Sequence, residues 1–174
     1  MPSKHNVVID ESSIDPELKV AMSKANKFSI IGSDASDVET ANYLEQNAGW
    51  EVVLEETAKA ATLSQTRKFV ETLCKRKDRP DLVLSTSSND QSDAGAGTVI
   101  KGLVTGRIDV NATTVQNVTR CRDKWQSRFT VRWEMSQGEF NADKVKMSHI
   151  LAQEYAKALM RLAGKLPPVA PSVK

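Results

Sequence analysis

The chain has 174 residues, of which 40% are hydrophobic and 26% charged, with a formal net charge of +2. That length fits one domain with short tails and is enough to bury a core without staples. No apolar run approaches membrane-spanning length, and the opening "MPSKHNVVIDESSIDPEL" lacks the apolar centre of a secretory signal, so a cytoplasmic protein is expected.

Residues 1–15 are polar and without sustained periodicity, which predicts a mobile arm or a single pairing strand at Val7–Ile9. Asp15-Pro16 reads as an N-cap followed by proline at the first helical position, opening a short helix to about Asn26. "KFSII", Lys27 to Ile31, reads as a buried strand ended by Gly32. Ser36 with Glu39 three residues on is a capping-box pattern. The helix it opens carries Val38, Ala41, Tyr43, Leu44 and Ala48, and Gly49 is a natural stop. Trp50 to Glu56 reads as a strand. Thr57 can cap a helix to about Lys77, whose C-terminal "CKRKDR" places cations where the helix dipole favours them, before Pro80 forbids continuation.

Asp81 to Ser87 reads as a third strand, and "SNDQSDAGAG" as a loop by composition. "TVIKGLVTGRI" fits a helix or a glycine-interrupted strand, with the helix preferred. Asn111 or Thr113 can cap a helix to about Trp125, with Val115, Val118, Cys121 and Trp125 on one stripe. Then "RFTVRWEM" alternates strictly, Phe129, Val131, Trp133 and Met135 against Arg128, Thr130, Arg132 and Glu134. This is a one-face-buried strand, typical of an antiparallel or edge position. Asn141 caps a long amphipathic helix, roughly Ala142 to Ala163, and "KLPPVAPSVK" is a proline-rich extended tail. Strands alternating with helices predict an α/β fold. The expected form is a mixed, largely parallel sheet of about four strands with helices on both faces; an α+β layer with an antiparallel sheet is the alternative. The globular domain is expected over residues 16–164.

Two resemblances belong to these elements. "FSIIGSDASDVETANYLEQNAGWEVVLEE" resembles the opening of a dinucleotide-binding fold, which would put Glu55 and Glu56 where that family holds ribose. It departs at the turn, where Gly32 stands alone and Asp34 and Asp37 would repel a pyrophosphate. "TTVQNVTRCRDKWQSRFTVRW" is similar to a segment of rod-shaped plant-virus coat proteins, a helix reaching a tryptophan and then a T-V-R-aromatic strand. That resemblance implies a structural protein that coats RNA, although the flanking elements do not follow that family's four-helix order.

Candidate chemistry is thin. Asp34, Asp37 and Glu39, joined by Asp90 and Asp93, are carboxylates that could hold Mg²⁺ beyond strand ends, but Asp and Ser at these points also cap helices and fill loops. "DAGAGT" could cradle a phosphate, yet it lacks the G-K-[ST] ending of a P-loop. His5 and His149 have no partners at ligand spacing. Cys74 and Cys121 match no metal pattern and are expected as free, buried thiols. No cofactor is implied, and the balance leans against an enzyme.

The charge layout says more. Residues 1–60 hold five Lys and no Arg against eleven Asp and Glu, a net of −6, while residues 61–174 hold nineteen basic against eleven acidic residues, a net of +8. Two basic clusters stand out: Lys75, Arg76, Lys77 and Arg79, and Arg120, Lys124, Arg128 and Arg132. In the second, the interleaved aromatics belong to the core side, so the cations are left as a phosphate-neutralising surface. The expected function is a non-enzymatic, nucleic-acid-associated, self-associating structural or adaptor protein whose partner is RNA or another polyanion. The alternative is a small α/β enzyme or nucleotide-binding protein using strand-end loops 32–37 and 87–97.

Overall fold

The computed structural model describes residues 5–32, 35–56, 63–87, 111–135 and 143–166. In chain order these form β1 (His5–Ile9), a 3-10 turn (Glu11–Ser13), α1 (Pro16–Lys24), β2 (Lys27–Ile31), α2 (Ala35–Ala48) and β3 (Glu51–Glu55). There follow α3 (Leu63–Cys74), β4 (Leu82–Ser87), β5 (Asn111–Arg120), β6 (Trp125–Met135) and α4 (Lys144–Leu162). The expected loop and helix between residues 88 and 110, the Thr57 cap, Asn141 and most of the proline-rich tail lie outside the described residues.

The strands make one six-stranded sheet in the order β1-β6-β5-β4-β2-β3. Only β2–β3 and β2–β4 are parallel; β4–β5, β5–β6 and β1–β6 are antiparallel. The expectation of about four strands in a largely parallel sheet is therefore overturned, and mixed α/β is what stands. Two strands account for the difference. The N-terminal "HNVVI" pairs with β6 along its whole length. Residues 111–120, expected as a helix, form β5 instead. Thr113, Thr114, Val115, Val118 and Thr119 are β-branched and stiff at χ1, which suits a pleated surface better than a helix. The burial confirms period two: Thr114, Gln116 and Val118 point inward, and the residues between them do not. With the helix goes the feature on which the coat-protein resemblance rested.

Local signals elsewhere explain the boundaries. The Asp15 carboxylate accepts the Glu17 N–H at 3.0 Å ahead of Pro16, and Asp143, not Asn141, caps α4 by accepting the Lys146 N–H at 3.0 Å. Gly49 and Gly164 follow α2 and α4 in the left-handed conformation, φ +73° and +74°, which glycine adopts without a Cβ penalty. Helix α2 already includes Ala35, so Ser36 sits inside its first turn rather than capping it.

The two sheet faces are covered unequally. Phe28, Ile30, Leu82, Leu84, Phe129, Val131 and Trp133 point to one side, where α1, α2 and α4 bring Leu18, Met22, Leu44, Leu151, Tyr155 and Leu159. A polar chain crosses that core: Tyr155 Oη donates to Gln116 Oε1 at 2.9 Å, Gln116 Nε2 donates to Thr114 Oγ1 at 3.1 Å, and Trp133 Nε1 donates to the same hydroxyl. Each polar atom so buried needs such a partner. On the opposite face, among the described residues, only α3 packs, laying Val70 and Leu73 on Ile31, Val83 and Cys121. Among the described helices, cover of this face thus ends with α3, and outward side chains of β5 and β6 line a cleft beside it.

Candidate nucleic-acid interface

Three pieces of chain meet beside α3. The first is α3 itself, whose Thr66, Arg67, Val70, Glu71 and Cys74 recur at helical spacing on one wall. The second is the segment after it. Hydrogen bonds from Lys75 N to Thr72 O, Arg76 N to Leu73 O and Arg79 N to Arg76 O keep residues 75–79 tightly turned. The Asp81 carboxylate then pins the chain by accepting N–H groups of Asn26 and Lys27 at 2.8 and 3.1 Å. The third is the β5–β6 hairpin, with Arg120 opposite Trp125 and residues 121–124 as its turn. Lys124 occupies the left-handed region, φ 57°, and Asp123 Oδ1 accepts the Trp125 N–H at 3.2 Å.

A disulfide joins the first and third pieces. Cys74 at the end of α3 is bonded to Cys121 at the hairpin turn, with Cα atoms 4.9 Å apart across 47 residues of sequence. The two free thiols expected from sequence are thereby corrected. Antiparallel pairing of β4 with β5, in the register Leu82–Arg120, is what returns Cys121 to the end of α3.

These walls enclose a cleft of about 870 Å³. Seven cations line it without an ion pair among the described residues: Arg67, Lys75, Lys77, Arg79, Arg122, Lys124 and Arg128. Arg76 also lines it but is held at 2.9 Å by Glu55. Glu71 is the one carboxylate among the described lining residues. The floor is neutral and hydrogen-bonding, with Asn117, Thr119, Gln126 and Ser127. Among the described residues no aromatic ring lines it. Phe129 and Trp133 are buried on the far face, and Trp125 lies under the Arg120 guanidinium at 4.8 Å.

Of the sequence-predicted basic residues, Lys75, Arg76, Lys77, Arg79, Lys124 and Arg128 come together in this cleft, so the two clusters are one surface. Arg120 and Arg132 do not join it. With β5 a strand, Arg120 and Lys124 no longer share a helix face. Arg120 instead forks onto Asp123 at 2.8 Å and Glu17 at 3.0 Å. Its hydrogen bond to Asp123 holds that carboxyl at about 2, below the usual carboxylate range, and the two carboxylates hold the guanidinium's own value up. Arg132 is paired with Glu134 at 2.8 Å. Sequence reasoning missed Arg67 and Arg122. Arg67 was legible as the residue two turns before Lys75 on the same helical face; Arg122 was hidden by reading its hairpin turn as helix.

The alternative sites fare differently. Asp37 is 2% exposed and packs against Gly32, and its charge adds to the burial that pushes the Tyr155 hydroxyl's pKa upward. A carboxylate so enclosed is a core group rather than an open metal ligand. Asp34, Asp90 and Asp93, and the 88–97 part of the loop alternative, lie outside the described residues. Among the described residues no group of three His, Cys, Asp or Glu side chains could hold a metal, and no helix is long and apolar enough to cross a membrane. Glu55, expected near ribose in a dinucleotide-binding arrangement, is engaged by Arg76. His149 Nδ1 meets Glu39 Oε1 at 3.1 Å. No protein-family model and no curated protein matches this chain.

Proposed function

We propose that the protein is a non-enzymatic binder of nucleic-acid backbone, with RNA as the polyanion, and that the cleft between α3 and the β5–β6 hairpin is its contact surface. The observation that carries this reading is the convergence, around one neutral floor, of seven cations that have no ion pair among the described residues. Like charges so gathered repel one another, and a polyanion relieves that repulsion while releasing its own counterions. With no ring among the described lining residues on which to stack bases, recognition runs through phosphates and is indifferent to sequence. A structural or adaptor role follows more naturally from such a surface than sequence-specific control.

Self-association belongs to the same proposal. Among the described strands, β1 and β3 are the two edges of the sheet. Unpaired strand edges are ready templates for a further strand. The cytoplasmic location expected from sequence sits uneasily with the Cys74–Cys121 bond, because disulfides persist chiefly in oxidising compartments; thiol labelling of the protein taken directly from its source separates the two locations.

The test is binding of labelled single-stranded RNA to the wild type and to Lys124→Glu/Arg128→Glu. The double reversal is expected to lower affinity by tenfold or more at moderate salt, whereas Arg132→Glu, outside the cleft, changes it by less than about threefold. Equal binding by all three proteins would refute the assignment. Light scattering on the same samples reads the oligomer.

A further inference from the structure

The basic surface does not stop at the hairpin end of the cleft. Arg79 and Arg122, which line the cleft, also line a second pocket of about 280 Å³ on the α1 side of the 80–82 segment. That pocket adds Lys24 from the last turn of α1. Lys24, Arg79 and Arg122 are exposed and have no ion pair among the described residues. The pocket's one carboxylate among the described residues, Asp81, is already engaged by two backbone N–H groups. Arg120 also lines it, but its guanidinium is spent on Glu17 and Asp123. Two cavities are therefore joined through shared arginines around the edge where β4 begins and β5 ends.

Resting on the polyanion reading of the cleft, we infer that the ligand is a flexible single strand whose backbone passes from the cleft over Arg79 and Arg122 into the Lys24 pocket. A compact phosphate cluster fills one cavity or the other. A chain engages both with one molecule, and the second engagement then occurs at the high effective concentration set by the first. A rigid duplex cannot turn around the Pro80–Leu82 edge as a single strand can. The structure thus assigns Lys24 a binding role that the sequence clusters did not suggest.

The experiment compares oligouridylates of about 4 and about 12 nucleotides, a short and a longer length within the usual range of single-strand site sizes. They are titrated at fixed low salt into the wild type, Lys24→Glu, Lys24→Ala and Lys124→Glu, each checked for an unchanged melting curve. The 12-mer is expected to bind the wild type at least roughly tenfold more tightly than the 4-mer. Lys24→Glu and Lys24→Ala are expected to weaken the 12-mer about five- to tenfold and about threefold, leaving the 4-mer within twofold, whereas Lys124→Glu weakens both. Equal affinity for the two lengths, or a 12-mer indifferent to both Lys24 substitutions, would overturn the path around the edge while leaving the cleft assignment standing. Binding of neither length by the wild type would sink the polyanion reading itself, and the path with it. A 12-base-pair duplex matching the single strand's affinity and its Lys24 dependence would overturn the flexible-strand assignment.

Discussion

Removing the Cys74–Cys121 bond is predicted to loosen α3 before anything else. Helix α3 rests on a small satellite cluster made of Ile31, Val70, Leu73, Val83 and Cys121, apart from the main core that holds α1, α2 and α4. The disulfide closes a loop of 47 residues, and chain-entropy reasoning gives that constraint about 4 kcal/mol, mostly by restricting the unfolded chain. For a chain of this size each kcal/mol shifts the melting midpoint by roughly 2–4 °C. Cys74→Ala/Cys121→Ala is therefore expected to melt about 8–16 °C below the oxidised wild type. Reduced wild type is expected to melt near the double variant. Hydrogen exchange adds the spatial claim: amides of residues 66–74 are expected to lose protection by more than those of β2 or α4, because the satellite cluster alone must then hold the helix. Equal midpoints for oxidised wild type and the double variant would refute the bond. A midpoint drop with protection lost uniformly would refute the argument that α3 is separately held.

Four further outcomes follow from the geometry. Lys124→Gly is expected to stabilise the fold by up to about 1 kcal/mol, because the left-handed position suits glycine, and yet to weaken RNA binding; a destabilised variant would contradict the turn geometry. Asp123 has a depressed folded value of about 2, so its contribution to stability is present above the ordinary carboxylate range and fades as pH falls through about 2. In Arg120→Ala its NMR titration midpoint is expected to rise toward the ordinary carboxylate range, held back by the Trp125 N–H and the Arg122 charge, and an unmoved midpoint would show that the hydrogen bond is not the cause. Gln116→Leu is expected to cost about 2–4 kcal/mol in urea unfolding, since it takes from the buried Tyr155 and Thr86 hydroxyls the side chain they bond; a neutral result would show the polar chain to be dispensable. Gly32→Ala drives a Cβ into the Asp37 carboxylate and is expected to cost about 1–3 kcal/mol, with wild-type stability as the refuting result.

The elements that read cleanly from sequence were those whose signals are local. "KFSII" is β2 as expected, and the alternation of "RFTVRWEM" placed Phe129, Val131 and Trp133 on the buried side of β6. Asp15-Pro16 opens α1 for the capping reason given above. The failure at 111–120 has a physical cause: Val115, Val118 and Cys121 satisfy a helical period by coincidence, while the partners that make the segment a strand, β4 and β6, are supplied by the fold. The strand count and the largely parallel character failed for the same reason, because nothing local in "HNVVI" says that it lies beside β6. The basic residues were visible as two clusters, but their union across the cleft depends on the β4–β5 register. That register also makes the disulfide, so neither the pairing of Cys74 with Cys121 nor the entry of Arg122 into the site could be read from spacing. Conversely, Arg120 and Arg132 look like their neighbours in sequence, and only the positions of Glu17, Asp123 and Glu134 remove them from the free cations.

The most direct test of the central claim is the affinity of the purified protein for single-stranded RNA measured across a series of salt concentrations. Seven cations without an ion pair among the described residues line the cleft, and engaging most of them predicts a slope of log K against log salt of about −3 to −5, smaller in magnitude by about 1 to 2 in Lys124→Glu/Arg128→Glu. A shallow slope, or no binding at low salt, would mean that the cleft carries its charge as a solvated surface and that its ligand, if it has one, is not a nucleic-acid backbone.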